Sequence, residues 1–145
     1  MVDSDLAAFI ERDHQALDAI VKGDPEPKKK LYSRRDDVTL ANPFGLPARG
    51  WQKVAETLER AASQLREGEA LAFERISEYA TADLAYIVEI ERYRGKVGTS
   101  EAAPNALRVT TVFRREDGEW RIVHRHADPI TGPRPPESIL HEYTP

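Results

Sequence analysis

The stretch LRVTTVFRREDGEWRIVHRHAD, residues 107–128, decides the fold. In its first half, β-branched and aromatic residues alternate with polar ones, and this period of two is typical of a half-buried strand. Glu116, Asp117 and Gly118 then predict a tight turn, because glycine adopts positive φ freely and aspartate tolerates it. The alternation resumes at Trp120. The stretch therefore predicts an antiparallel hairpin, and we expect the rest of the chain to pair with it or to pack against it.

The second strand of this hairpin has two distinct faces. Strict alternation places these residues on one face: Trp120, Ile122, His124, His126 and Asp128. It places these on the other: Arg121, Val123, Arg125 and Ala127. Both faces carry apolar and ionisable groups, so we expect a central strand that is covered on both sides.

Composition restricts the kind of protein. A chain of 145 residues fits one domain that buries roughly two-thirds of its unfolded surface. The net charge of -4, with no long basic run, argues against nucleic acid as a partner. The absence of cysteine excludes disulfides and thiolate metal sites. No apolar run approaches the ~20 residues of a membrane span, so we expect a cytoplasmic protein that binds no membrane.

Two amphipathic helices precede the predicted antiparallel meander. Apolar residues at helical spacing predict the first over residues 4–22, and its stripe is interrupted at His14. The His14 imidazole should therefore face inward, either hydrogen-bonded at the edge of the core or lining a cavity. The second helix is predicted to begin after Gly50 and to end near Gly68.

The other segments are shorter. Asp24 and Pro25 predict a short helix that ends near Ser33, with lysines 28–30 on its solvated face. Strands are then predicted over residues 34–41, 70–79 and 84–94, with a proline-containing loop over 42–47 and a flexible connection over 95–104.

Helices come first and an antiparallel meander comes last, which predicts an α+β fold. We expect a curved, cone-shaped antiparallel sheet with helices packed on its concave face around a pocket. Residues 1–128 should form this single domain. Residues 129–145 are rich in proline, which lacks the backbone donor of a sheet, and are predicted to form a tail along the surface.

Three motifs carry a resemblance to a known family. They are GDPEPKKKLYSRRDDVTLANPFG at residues 23–45, RGW at 49–51 and WRIVHRHAD at 120–128. With the order of the elements, they resemble the nuclear transport factor 2-like superfamily, in particular its SnoaL-like branch. That branch includes polyketide cyclases, ketosteroid isomerases and the association domain of calcium/calmodulin-dependent kinase. The resemblance implies a cone-shaped fold with a pocket, but this fold hosts unrelated functions.

The site of the ketosteroid isomerases is not reproduced here. Their proton-shuttling aspartate precedes a proline, and the matching position is Asn42, whose amide exchanges no proton at neutral pH. Their oxyanion-stabilising tyrosine and protonated aspartate fall near Ala16 and Thr111. The resemblance therefore argues against steroid-type isomerisation, while Asn42 is still placed to orient a ligand.

The final strand resembles that of the kinase association domain. This resemblance implies that Val123, Arg125 and Ala127 face the cavity, while His124 and His126 face the convex side used for assembly. Alternation alone leaves open which set faces the cavity, and a β-bulge would reverse the assignment beyond it.

Two groups of ionisable residues allow more than one interpretation. His124, His126 and Asp128 could bind a metal ion, could transfer protons, or could form hydrogen bonds across a subunit interface or into the sheet. Glu89 and Glu91 could work as an acid/base pair or form structural ion pairs with arginines of neighbouring strands. We expect no metal and no cofactor.

These observations predict a site and leave its function open. The candidate bases are His14 and His126. The candidate ligand-binding residues are Tyr32, Asn42, Phe44, Trp51, Thr111, Phe113 and Arg125. One hypothesis is a cofactor-independent isomerase- or cyclase-type enzyme that acts on a small hydrophobic molecule by proton transfer. The other is a non-catalytic domain for ligand binding or oligomer assembly, and in both cases we expect a homodimer.

Overall fold

A six-stranded sheet with helices on one face forms the body of the protein. The computed structural model describes residues 2–140. The elements follow in this order: helix α1 (Ser4–Ile20), helix α2 (Glu26–Lys29), strand β1 (Thr39–Ala41), strand β2 (Ala48–Arg49), helix α3 (Trp51–Ser63), strand β3 (Leu65–Ala80), strand β4 (Leu84–Val97), strand β5 (Ala103–Glu116), strand β6 (Glu119–Asp128) and a short 3₁₀ helix (Pro136–Ile139). The predicted α+β fold is confirmed, with a curved, unclosed sheet.

The strands lie in the order β2-β1-β6-β5-β4-β3. Strands β3 to β6 form an antiparallel meander, so the predicted hairpin at residues 107–128 is present as β5 and β6. Strand β1 lies parallel to β6, with Leu40 opposite Arg125. A parallel neighbour needs a crossover connection, and the segment from α3 to β5 supplies it. The hairpin strand β6 is therefore central, as its two mixed faces predicted.

A β-bulge in β6 corrects the predicted faces of that strand. Phe113 pairs with Ile122, but Val112 pairs with His124, so Val123 is the extra residue. An extra residue reverses the alternation beyond it. Trp120 and Ile122 therefore share the concave face with Arg125 and Ala127, and not with the histidines. The prediction that places all residues of even number on one face is wrong for this reason.

Helix α1 covers the concave face of the sheet. Its N-terminus is capped by Asp3, whose Oδ1 accepts a hydrogen bond of 2.8 Å from the Leu6 backbone N–H. Phe9 packs edge-to-face on Phe113 of β5, with ring centroids 5.8 Å apart. The core is made of aliphatic and aromatic side chains from α1, α3 and the sheet, which confirms helices packed against a curved sheet.

Gly68 is not the end of a helix. Helix α3 ends at Ser63, and Gly68 lies inside β3, where its N–H donates a 3.0 Å hydrogen bond to the Val21 carbonyl. A Cβ at residue 68 would lie 2.5 Å from that carbonyl oxygen. The glycine therefore allows the end of α1 to approach β3 closely. From sequence alone, the same glycine was interpreted as the end of the second helix.

Further boundaries differ from the sequence prediction. Of the strand predicted over 34–41, only Thr39–Ala41 is present, as β1. Strands β4 and β5 extend into the predicted connection over 95–104, so that only residues 98–102 form the turn. Strand β2, a two-residue strand paired with β1, was not predicted. Of the predicted tail, residues 136–139 form the 3₁₀ helix, and residues 141–145 lie outside the described residues.

Among residues 2–140, no helix is long and apolar enough to cross a membrane.

Candidate functional site

A cavity of about 300 Å³ lies between the helices and the concave face of the sheet. Most of its lining is aliphatic and comes from α1, β1, α3 and β5: Leu17, Ile20, Leu40, Leu58, Ala61 and Leu107. The loop of Asn42, Pro43 and Phe44 lies at one side of the cavity. The volume lies at the lower end of the ~300–1,000 Å³ range of small-molecule sites.

The buried polar lining of the cavity consists of Lys28, Tyr93 and Arg125. Lys28 comes from α2, Tyr93 from β4 and Arg125 from β6. Each of these side chains belongs to a network of buried ion pairs and hydrogen bonds on the inner side of the cavity. The site is therefore an apolar space with a charged inner wall.

Arg125 and Glu91 form the first ion pair of this wall. Arg125 donates from both terminal nitrogens to the two carboxylate oxygens of Glu91, each at 2.8 Å, and the Tyr93 hydroxyl donates to Glu91 Oε1 at 2.6 Å. Burial alone would raise the pKa of Glu91, but the charge and hydrogen bonds of Arg125 hold that pKa below its ordinary value. Glu91 is therefore ionised. Burial of the Tyr93 hydroxyl, together with the neighbouring negative charge of Glu91, raises the pKa of Tyr93 well above its usual range.

Lys28 and Asp13 form the second ion pair. Lys28 Nζ donates to Asp13 Oδ1, and both side chains are almost fully buried. Burial lowers the pKa of Lys28, and the nearby positive charge of Arg125 lowers it further. The negative charge of Asp13 acts in the opposite direction and raises this pKa. The prediction that lysines 28–30 form a solvated face is wrong for Lys28, which is 1 % exposed. Its short helix lies against α1, and this turns Lys28 inward toward Asp13.

Tyr32 lies near these two pairs. Its ring is 5.6 Å from Lys28 Nζ, and its pKa is raised by burial. Among residues 2–140, its buried hydroxyl has no hydrogen-bond partner. Tyr32 itself is not one of the residues that line the cavity.

His14 lies apart from the cavity. Its Nε2 is 2.8 Å from Glu89 Oε1, and its ring stacks on Phe73 with centroids 3.8 Å apart. Arg75 Nε donates to the other oxygen of Glu89 at 2.8 Å. Burial would raise the pKa of Glu89, but the hydrogen bonds from His14 and Arg75 lower it. The imidazole faces inward as predicted, but toward β3 and β4 and not among the cavity-lining residues.

His126 lies on the opposite face of the sheet from the cavity. His126 is paired with Thr110 of β5, and His124 is paired with Val112, so both histidines lie on this face. The Nδ1 of His124 is 2.7 Å from Thr39 Oγ1. Burial and the charge of His126 lower the pKa of His124. Among residues 2–140, no group of three histidine, aspartate or glutamate side chains is arranged to hold a metal ion.

The same convex face exposes aromatic side chains. Tyr79 and Tyr86 stack with ring centroids 5.9 Å apart, and both are exposed. The homodimer that we expect through this face stays a prediction.

The remaining predicted ligand-binding residues divide between the cavity and the core. Asn42, Phe44 and Arg125 line the cavity. Asn42 Oδ1 accepts a 3.0 Å hydrogen bond from the Phe44 backbone N–H, which fixes the loop. Thr111 and Phe113 are buried beneath α1 and do not line the cavity. The Trp51 ring is covered by the Arg34 guanidinium, whose carbon lies 3.5 Å from the ring centroid.

Sequence reasoning missed Lys28, Asp13 and Tyr93 as parts of this site. A signal for Asp13 was present, because it lies three residues after Ile10 and four before Leu17, on the buried stripe of α1. A charged residue at such a position needs a buried partner of opposite charge. Nothing in the lysine run, however, distinguishes Lys28 from its neighbours.

A family model described as a SnoaL-like domain matches residues 6–130. Among solved structures, a ketosteroid isomerase-like protein from Erwinia carotovora atroseptica is 19% identical, with a TM-score of 0.72, and the match covers 90% of this chain and all of that one. An NTF2-like protein of unknown function from Pseudomonas putida is 22% identical, with a TM-score of 0.69, and the match covers 98% and 95%.

A nuclear transport factor 2-like superfamily protein from Salmonella enterica is 20% identical, with a TM-score of 0.67, and the match covers 86% of this chain and 89% of that one. No curated protein matches the chain. At these identities the structural likenesses concern the fold alone.

Proposed function

Because this chain belongs to the SnoaL-like domain family of the nuclear transport factor 2-like superfamily, we propose that its cavity binds a small hydrophobic molecule. The observation that carries this proposal is the cavity of about 300 Å³, lined mainly by aliphatic side chains. Small-molecule sites are typically concave and mostly apolar, with volumes upward of about 300 Å³. A space of this size in a small domain is therefore best explained by a ligand that fills it.

The binding energy comes from the aliphatic lining. Burial of an alkyl chain against such a surface contributes about 0.8 kcal/mol for each methylene group removed from water. Leu17, Leu40 and Leu58 line the space from three different elements, so a bound chain is surrounded and not merely covered. The side of the cavity at Asn42 and Phe44 offers a route of entry, because the Phe44 side chain is more than half exposed.

The geometry supports ligand binding more than catalysis by proton transfer. A general base must reach the proton that it removes. Neither candidate base is among the residues that line the cavity: the His14 imidazole is bonded to Glu89, and His126 is on the other face of the sheet. Proton transfer by His14 or His126 stays a prediction, and ligand binding is the function that we favour.

Filling the cavity tests this function. Ala61 lies on α3 with its side chain in the cavity lining, so Ala61→Phe places a ring in the space that the ligand would occupy. We expect this variant to bind 1-octanol at least ~10-fold more weakly than the wild type, since each 1.4 kcal/mol lost is tenfold in affinity. Isothermal titration calorimetry measures the difference, and circular dichroism verifies the fold.

The matched control is Ala55→Phe, the same change on the same helix at a half-buried position outside the lining. We expect it to bind 1-octanol like the wild type. Unchanged affinity in a folded Ala61→Phe variant, or equal losses in both variants, would contradict ligand binding in this cavity.

A further inference from the structure

The structure points to the chemical class of the ligand. We propose that the ligand is an aliphatic carboxylate, whose carboxylate is bound by Lys28 and Arg125 at the inner wall and whose hydrocarbon chain fills the apolar space. This inference rests on the proposed function and specifies which kind of hydrophobic molecule enters.

The first observation is a surplus of buried donors. A lysine ammonium has three N–H donors and an arginine guanidinium has five. Lys28 donates to Asp13, and Arg125 donates one hydrogen bond from each terminal nitrogen to Glu91. Among residues 2–140, the remaining N–H groups of these two side chains have no acceptor. Both side chains are buried and both line the cavity, so a ligand in the cavity is placed to supply the acceptor.

The second observation is the arrangement of the charges. Asp13 and Glu91 neutralise the two cations but are not among the lining residues, and no other acidic residue is. Lys28 and Arg125 are lining residues, and so are the basic residues Arg94 and Lys96. The lining therefore includes cations but no anions, and this arrangement favours a negative charge in the cavity.

The third observation is that the two cations repel each other. Burial lowers the pKa of Lys28, and the charge of Arg125 lowers it further. An anion close to both ammonium and guanidinium offsets this repulsion. It also accepts charge-assisted hydrogen bonds, which are roughly twice as strong as those of neutral groups.

Other head groups fit less well. A primary ammonium would meet two cations and has no lone pair to accept their hydrogen bonds. A hydroxyl oxygen can accept from both Lys28 and Arg125, but it carries no charge, so its hydrogen bonds to them are weaker than those of a carboxylate. Lys28 and Arg125 lose their hydration when the chain folds, because both are buried without a ligand. Only the carboxylate of the ligand must lose its water on binding.

Three eight-carbon probes test the inference on the wild-type protein. Octanoate, 1-octanol and octylamine have the same chain and differ in the head group. We expect calorimetry at about pH 7, where the carboxylate and the amine are charged, to give octanoate at least ~10-fold tighter binding than 1-octanol and no measurable binding of octylamine. Equal affinity for octanoate and 1-octanol would overturn the inference and leave the proposed function intact.

Failure of all three probes to bind would overturn the proposed function itself. The two results are therefore distinguishable with one set of titrations.

A paired variant tests the role of Lys28. Asp13→Asn/Lys28→Met removes both members of the ion pair, so that no unpaired charge is left buried. We expect it to lose the preference for octanoate and to keep the affinity for 1-octanol. The control is Asp18→Asn/Lys22→Met, the same two changes in an exposed pair at the C-terminal end of α1, where Asn keeps the acceptor for the Ala70 N–H. A preserved octanoate preference in a folded Asp13→Asn/Lys28→Met variant would contradict the assignment of Lys28.

Discussion

Glu89 and Glu91 lie two residues apart on the same face of β4, and the contrast between them separates the two ionic networks of the protein. Both carboxylates are almost fully buried, with exposed fractions of 3 % and 1 %. Glu89 is bonded to His14 and Arg75, and Glu91 to Arg125 and Tyr93. Both form the structural ion pairs that were one of the two sequence interpretations, but only the partners of Glu91 line the cavity.

The partners differ in their access to water. The Arg75 side chain is 30 % exposed on β3, an edge strand, whereas that of Arg125 is 7 % exposed on central β6. A cation that loses its partner at an edge can be hydrated, but one in the interior cannot. Equal burial of two carboxylates therefore does not mean that their ion pairs have equal energetic weight.

The largest expected effect comes from removal of the Glu91 charge. Glu91→Gln keeps the size of the side chain but leaves the Arg125 guanidinium buried and unpaired. We expect the free energy of unfolding to fall by about 3–5 kcal/mol, the usual cost of breaking a buried pair. Urea unfolding followed by circular dichroism measures this loss.

The same change at Glu89 should cost less, about 1.5–3 kcal/mol, because Arg75 reaches solvent and a hydrogen bond to a charged group is typically worth that amount. Glu89→Gln is thus the matched control for Glu91→Gln. Equal losses in the two variants would show that the contrast between the edge and the interior is wrong.

A smaller effect is expected from acid. The folded state holds the pKa of both Glu89 and Glu91 below the ordinary value of 4.5. Each ion pair therefore contributes stability above that value, and the contribution is lost as the pH falls through the folded pKa. We expect the urea midpoint of the wild type to fall between about pH 5 and about pH 3, and to fall less in each of the two glutamine variants. An identical acid dependence in all three proteins would contradict this linkage.

Local patterns were sufficient to predict the fold. The alternation in residues 107–128 and the stripes of the two long helices depend on neighbouring residues, and the structure contains these elements. The loop of Asn42, Pro43 and Phe44 was predicted from its turn-forming residues, and in the structure it lies at one side of the cavity. These elements could be predicted because several consecutive residues in each of them favour the same secondary structure.

The site was harder to predict because its key contacts are long-range. The bulge at Val123 depends on the pairing with β5, and it changes which residues share a face with Trp120 and Ile122. Whether Lys28 faces inward depends on how α2 lies against Asp13 of α1. Neither is encoded in a short window of sequence, so the inner wall could be identified only from the folded chain.

The most direct test of ligand binding in the cavity is a nuclear magnetic resonance measurement of contacts between bound 1-octanol and leucine methyl groups. We predict nuclear Overhauser effects to Leu17, Leu40 and Leu58, which line the cavity, and none to Leu71 and Leu84, which are exposed on the surface. Contacts to Leu71 or Leu84 without contacts to the three lining leucines would contradict the account.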